Sequence, residues 1–260
     1  MVPLSSLICM AVGAVLGFAV PVLLVLWLVK KHNASWKTVL AGIGVFVVFA
    51  LVLESMVHQI VLKGPSGSAI MGNIWYYALY GGCMAALFEE SGRFIAMKWL
   101  LRDEPSGAIS GIGYGIGHGG AEMLLLFGIT MISNLVLSSM INGGQADILL
   151  ASAPAEAQAQ VQAQLAALQD TSAGSIMLGL WERFSALILQ VALSMIVWTA
   201  VRRGGKWMWL LLAAFLLHFL VDAVTVVLAK SVSMLAVETV VFAMAVAVGA
   251  IGWKLCRLQS

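Results

Sequence analysis

Residues 74–101 read IWYYALYGGCMAALFEESGRFIAMKWLL, an apolar run of membrane-spanning length that carries Glu89, Glu90 and Arg93. An ionised side chain at the centre of a bilayer costs about 3 kcal/mol even on the lenient insertion scale. Forming a membrane helix requires no such cost, so the three charges serve pairing or function. On a helix, Glu89 and Arg93 are four residues apart and Glu90 and Arg93 three, so the guanidinium reaches either carboxylate. One glutamate would then be neutralised by Arg93 while the other stays free as a base.

The surroundings of this stretch set the fold class. Apolar residues make up 62% of the 260 and charged residues only 10%, with a mean hydropathy of +1.00. Soluble domains run nearer a quarter charged, so the chain reads as an all-α polytopic membrane protein. Seven apolar segments can be read, at roughly 5–29, 38–62, 73–100, 107–141, 173–201, 207–229 and 231–253. Each suffices to span a bilayer, which takes about 20 helical residues. The fourth is rich in glycine at its start (Gly107, Gly111, Gly113, Gly115, Gly117, Gly119, Gly120). Such residues let helices approach closely, or break a helix where it lines a cavity. Leu7 to Val29 lacks the basic start and cleavage site of a signal peptide and reads as a retained span.

Other classes fall away on composition. Cys9, Cys83 and Cys256 are scattered without CxxC spacing, which argues against a disulfide framework or a structural zinc site. No glycine-rich phosphate loop and no basic nucleic-acid patch occurs, so membrane lipids are expected partners and nucleic acids are not.

Loop cations predict the orientation. Lys30, Lys31, Lys37, Lys98, Arg102, Arg202, Arg203, Lys206, Lys254 and Arg257 fall on one side, against Lys63 and Lys230 on the other. The N-terminus is therefore expected outside and the C-terminus inside. Residues 1–260 read as a single integral membrane domain with an extracytoplasmic loop at about 143–172, which carries Asp147, Glu156 and Asp170 and no cation. Within it Val161, Leu165 and Leu168 line one stripe of an amphipathic helix. That helix either joins two spans at the surface or acts as a lid.

Depth brings the polar residues together. At about 1.5 Å per residue, Glu89 lies about 14 Å from the basic end at Lys98, and His118 and His218 lie about 16–18 Å deep in two other spans. Glu122 and Asp222 follow those histidines at i, i+4. Glu54, His58, Glu182, Arg183 and Glu238 read as a second level nearer the outer face, better suited to structural pairing. The inner group could be a satisfied ion-pair network, but two histidines and four carboxylates around one arginine exceed what pairing needs. Two chemistries suit it. A glutamate could act as general base on a water, with one histidine sharing that proton and the other stabilising the oxyanion. Alternatively His118, Glu122, His218 and Asp222 could bind a divalent metal such as Zn2+ that activates the water. No Gly-x-Ser-x-Gly is present for a serine route.

The order of motifs resembles the YhfC family of intramembrane proteases. They are Glu-Glu-x-x-Arg at Glu89, His-Gly-Gly-x-Glu at His118, Glu182-Arg183, and a late His-x-x-x-Asp at His218. This family is similar to the PrsW proteases and, more distantly, to CAAX prenyl proteases and bacteriocin-processing enzymes. The resemblance implies that Glu89 activates the water with Glu90 and Arg93 in support. It likewise implies that Glu122 matches the second motif, His218 the histidine that binds the oxyanion, and Asp222 the Asn or Asp that follows. The first motif is one residue shorter than the CAAX pattern and Phe-x-x-x-His is absent, so His118 and Glu122 both stand as partners of the base. The family's name implies a metalloprotease, whereas the CAAX relatives are argued to be metal-free. The expectation is an intramembrane endopeptidase of the bacterial cytoplasmic (inner) membrane, acting on a peptide or membrane-protein substrate. Its site would lie between the third, fourth and sixth helices and open towards the cytoplasm. Rival readings are a proton-coupled transporter, against which no internal repeat is visible, and a catalytically silent scaffold or immunity protein.

Overall fold

A computed structural model describes residues 1–257. Every regular element among them is a helix. The elements run α1 (Leu4–His32), α2 (Trp36–Val45), α3 (Ser55–Lys63), α4 (Gly67–Gly72), α5 (Ile74–Ile95), α6 (Ala108–Glu122), α7 (Ile129–Asn142), α8 (Ala146–Ser152), α9 (Gln158–Asp170), α10 (Ala173–Arg203), α11 (Trp209–Leu228) and α12 (Met234–Arg257). Side-chain caps start at least four of them, with Ser172 and Ser233 Oγ accepting from Ser175 N of α10 and Ala236 N of α12. Ser35 Oγ accepts from Lys37 N ahead of α2, and Asn73 Oδ1 accepts from Trp75 N and Tyr76 N ahead of α5, supplying partners for donors a helix start leaves open.

Six stretches are long and apolar enough to cross a membrane: Leu4–His32, Trp36–Lys63, Ala108–Asn142, Ala173–Arg203, Gly205–Leu228 and Met234–Arg257. The third expected segment, 73–100, is also a continuous helix of comparable length from Ile74 to Leu100, but Glu89, Glu90, Arg93 and Lys98 hold it below that apolarity. Three stretches widen into π-helix: Phe46–Glu54 between α2 and α3, Ala96–Leu100 after α5, and Met123–Gly128 between α6 and α7. Glu54 closes the first of these and Glu122 directly precedes the third, and such widened turns gather at functional sites.

The chain forms two compact units: Met1–Val20 with Met123–Arg183, and Pro21–Glu122 with the chain from Phe184 onwards. In the first, Asn142 clasps the N-terminus, accepting from Val2 N at 2.7 Å and donating to Val2 O at 2.9 Å. The expected loop helix forms as α9 and buries Leu165 and Leu168. A Cβ on Gly17 would stand 2.8 Å from Gly128 Cα, so backbone meets backbone there.

In the second unit the glycine-rich start of α6 stays helical and brings its neighbours close. A Cβ on Gly117 would stand 2.1 Å from Val39 O, and one on Gly42 would stand 2.1 Å from Tyr114 O, so α2 and α6 touch main chain to main chain. On another face of α6, a Cβ on Gly115 would lie 2.6 Å from Val191 Cα of α10. From Leu189 to Ala200, α10 is buried at every position but Val191. Gly82 gives the same intimacy to α5 and α11, its Cβ position falling 2.9 Å from Phe219 O. At the end where α2 and α11 begin, Met97, Leu101, Tyr114, Trp198 and Leu210 form a packed apolar core. Arg202 closes it, donating to the carbonyls of Leu101, Arg102 and Glu104 while its guanidinium lies over Trp198.

Candidate active site

α5 places three charges on its buried face within little more than one turn. Glu89, Glu90 and Arg93 are 7%, 6% and 0% exposed, which a charged group tolerates only when its hydrogen bonds are met nearby. Arg93 pairs with Glu90 through NH1, and its NH2 stands 3.7 Å from Glu89 Oε2. Arg93 thus serves chiefly Glu90, and Glu89 is the freer glutamate.

The histidines reach across to α5 from other helices. His118 Nε2 of α6 donates to Glu89 Oε2 at 2.9 Å. Close glycine contacts let α6 sit deep enough for this, and the His118 ring is packed edge-on against Phe46 and stacked on Tyr114. His218 Nδ1 of α11 donates to Glu90 Oε1 at 2.9 Å, leaving Nε2 turned to Asp222 Oδ2 at 3.6 Å. Sequence spacing suggested pairs within a helix, His118 with Glu122 and His218 with Asp222. The principal partners are instead the two glutamates of α5, because α5 presents carboxylates to both neighbouring helices.

Gln190 of α10 joins the group, and sequence reasoning missed it. Its amide nitrogen donates to Glu89 Oε2 at 2.8 Å and to Glu122 Oε2 at 3.0 Å, and its amide oxygen accepts from Arg93 NH2. The signal was available as a lone amide in the apolar run SALILQVALSMIVW. All seven residues singled out from sequence, Glu89, Glu90, Arg93, His118, Glu122, His218 and Asp222, fall in one connected polar cluster with Gln190 added. His118 reaches Glu89 directly, and Glu122 reaches it through Gln190.

Glu54 bonds His58 of the expected outer level and also interacts electrostatically with Glu89, His218 and Asp222. Arg183 pairs with Glu182 beside it. Four buried atoms of the cluster region have no hydrogen-bond partner among the described residues: Glu90 Oε2, Arg93 Nε, His118 Nδ1 and Tyr114 Oη. Glu89 Oε1 accepts no hydrogen bond from any of them either, since His118 and Gln190 both address Oε2.

A family described as YhfC intramembrane metalloprotease matches residues 16–244, most of the chain. The chain belongs to that family. Among relatives, the uncharacterized membrane protein YhfC of Bacillus subtilis (strain 168) is 33% identical over 235 residues, spanning 89% of this chain and 88% of its own. No solved structure matches.

The YhfC family's description implies a metal, and the side chains do not fit one in this arrangement. Among the described residues no three His, Cys, Asp or Glu side chains converge as a ligand set. Of the candidate ligands, His118 and His218 spend one nitrogen each on Glu89 and Glu90. Arg93 stands against both carboxylates, where a divalent cation would meet like charge. The spare His118 nitrogen, Nδ1, faces no carboxylate partner.

Proposed function

We propose that this protein is an intramembrane endopeptidase that hydrolyses peptide bonds of membrane-associated substrates with a water activated by Glu89. The observation that carries the reading is the division of labour between the two glutamates. Glu90 is tied to Arg93 and His218, whereas Glu89 is fixed through Oε2 by His118 and Gln190 and keeps Oε1 free of hydrogen bonds from described residues. A carboxylate held rigidly by one oxygen and open at the other suits a general base.

Oε1 would take a proton from water as the water oxygen bonds to the peptide carbonyl carbon. The carbonyl electron pair then moves to oxygen, where a donor is needed. His218, acting as an imidazolium that donates Nδ1–H to Glu90, offers Nε2–H for that purpose, and the carboxylates of Glu90 and Asp222 balance its charge. The proton held by Glu89 passes to the departing nitrogen as the C–N bond breaks, leaving a carboxylic acid and an amine. Arg93 compensates the charge of Glu90, and Glu122 anchors Gln190. No step is routed through a metal. The setting belongs to the same proposal: a multi-pass protein of a bacterial cytoplasmic membrane, N-terminus out and C-terminus in, whose partners are lipid and an embedded or membrane-proximal peptide.

The test is proteolysis of membrane peptides by purified protein in lipid. Glu89→Ala and His218→Ala are expected to abolish cleavage while the variants still elute as folded protein in detergent. Full cleavage of a bona fide substrate by both would refute the assignment.

A further inference from the structure

The two ends of the polar cluster are not alike. Towards the end where α2 and α11 begin, Met97, Leu101, Tyr114 and Trp198 are all 0% exposed and Leu210 is 2% exposed. Towards the other end burial falls away: α3 buries no residue, and α11 buries none beyond Val221. The side chains of His58 and Asp222 are 32% and 35% exposed there. An apolar cleft of about 570 Å³ also opens on that side between α5 and α11, reaching from Trp75 to Phe219.

A hydrogen-bonded chain leads inward from this end as far as Glu54. Tyr80 of α5 donates its hydroxyl proton to His58 Nδ1 at 2.8 Å, which fixes the imidazole so that Nε2–H donates to Glu54 Oε1 at 3.1 Å. Glu54 in turn interacts with Glu89, His218 and Asp222. Exposure decreases inward along the chain, from the half-buried His58 to Glu54 at 9% and Glu89 at 7%. A polar chain that runs inward from the open end to a carboxylate within electrostatic reach of Glu89 has the form of an entrance.

We propose that water and peptide reach Glu89 from this end, past Glu54, His58 and Tyr80, with Glu54 a positioning residue that orients the incoming water against Glu89. This is the reverse of the cytoplasmic opening expected from sequence. With the orientation read from the loop cations, the scissile bond would be presented from the extracytoplasmic half of the membrane. The entrance rests on the hydrolase reading only for its peptide, and the water path stands without it.

Hydroxyl-radical footprinting of the unaltered protein in lipid nanodiscs tests the path without any substrate. Lipid excludes the radical, so labelling reports water. Tyr80 is expected to oxidise at least about tenfold faster than Tyr114, and His58 faster than His218, following their burial. Equal labelling of Tyr80 and Tyr114, or faster labelling of Met97 than of His58, overturns the proposal. In the proteolysis assay Glu54→Gln is expected to lower kcat about tenfold with little change in KM, as a misplaced reactant does, and Glu54→Asp to recover part of the loss. A KM effect alone, or no effect, removes Glu54 from its positioning role. The expected footprint with no cleavage of any peptide would uphold the entrance and refute the endopeptidase.

Discussion

Gln190→Leu isolates the most connected side chain of the cluster. Leucine keeps nearly the same volume, so the contact with Gly119, whose Cβ position lies 2.9 Å from Gln190 Cβ, survives. What disappears is one donor shared between Glu89 and Glu122 and one acceptor for Arg93, three hydrogen bonds in all. Interhelical polar contacts in membranes average about 0.6 kcal/mol, which makes a floor of about 2 kcal/mol for three. The partners left behind are charged and buried, and stranding such a group costs about 1–3 kcal/mol each. The expected loss is therefore about 2–5 kcal/mol. For a chain of this size that corresponds to a fall in Tm of about 5–15 °C. With Cys9 and Cys83, which are partly exposed, replaced by serine, a thiol-reactive fluorophore can follow the melt in detergent, because Cys256 is 2% exposed and reacts only when α12 leaves its place. Turnover should fall about 10–100-fold in parallel, since Glu89 loses one of its two fixed partners and its open oxygen wanders. A melt within 1 °C of wild type, taken as about 0.5 kcal/mol or less, would mean that the bridge seen here carries no weight.

Two further predictions concern the scaffold and the chemistry. Gly117→Ala places a Cβ 2.1 Å from Val39 O and should cost about 3 kcal/mol or more by forcing α2 and α6 apart, whereas Gly44→Ala, with nothing within 4 Å, should stabilise the protein by about 1 kcal/mol. Paired denaturation curves decide this, and equal effects would refute the main-chain contact. Chelation by o-phenanthroline should leave proteolysis unchanged, and metal analysis of wild type and of His118→Ala and His218→Ala should find no stoichiometric zinc; one bound metal lost in both variants would restore the metal-ligand reading of those histidines.

The spans were legible because a chain in lipid must satisfy its backbone internally, and helices of about 20 apolar residues are the simplest way to do so. Residues 5–29 and 173–201 accordingly became Leu4–His32 and Ala173–Arg203. Glu89, Glu90, Arg93, His118 and His218 stood out for the same reason, since ionisable groups at that depth are costly. Their partners did not. An i, i+4 histidine and carboxylate look self-sufficient on paper, and only the packing of α6 and α11 against α5 shows where each imidazole is spent. Gln190 escaped notice because an uncharged amide is a far weaker signal than a charge.

The helix that organises the cluster is also the one least able to enter a bilayer unaided. Its glutamates and arginine oppose insertion by about 3 kcal/mol each on the translocon scale. Arg93 and Glu90 pair within the helix, but the other groups that satisfy them are synthesised later: His118 follows Glu89 by 29 residues, Gln190 follows Arg93 by 97, and His218 follows Glu90 by 128. During biogenesis residues 74–100 must therefore wait for α6, α10 and α11 to emerge from the ribosome. Truncation ahead of His218 would strand that helix and mark the nascent protein for quality-control proteolysis.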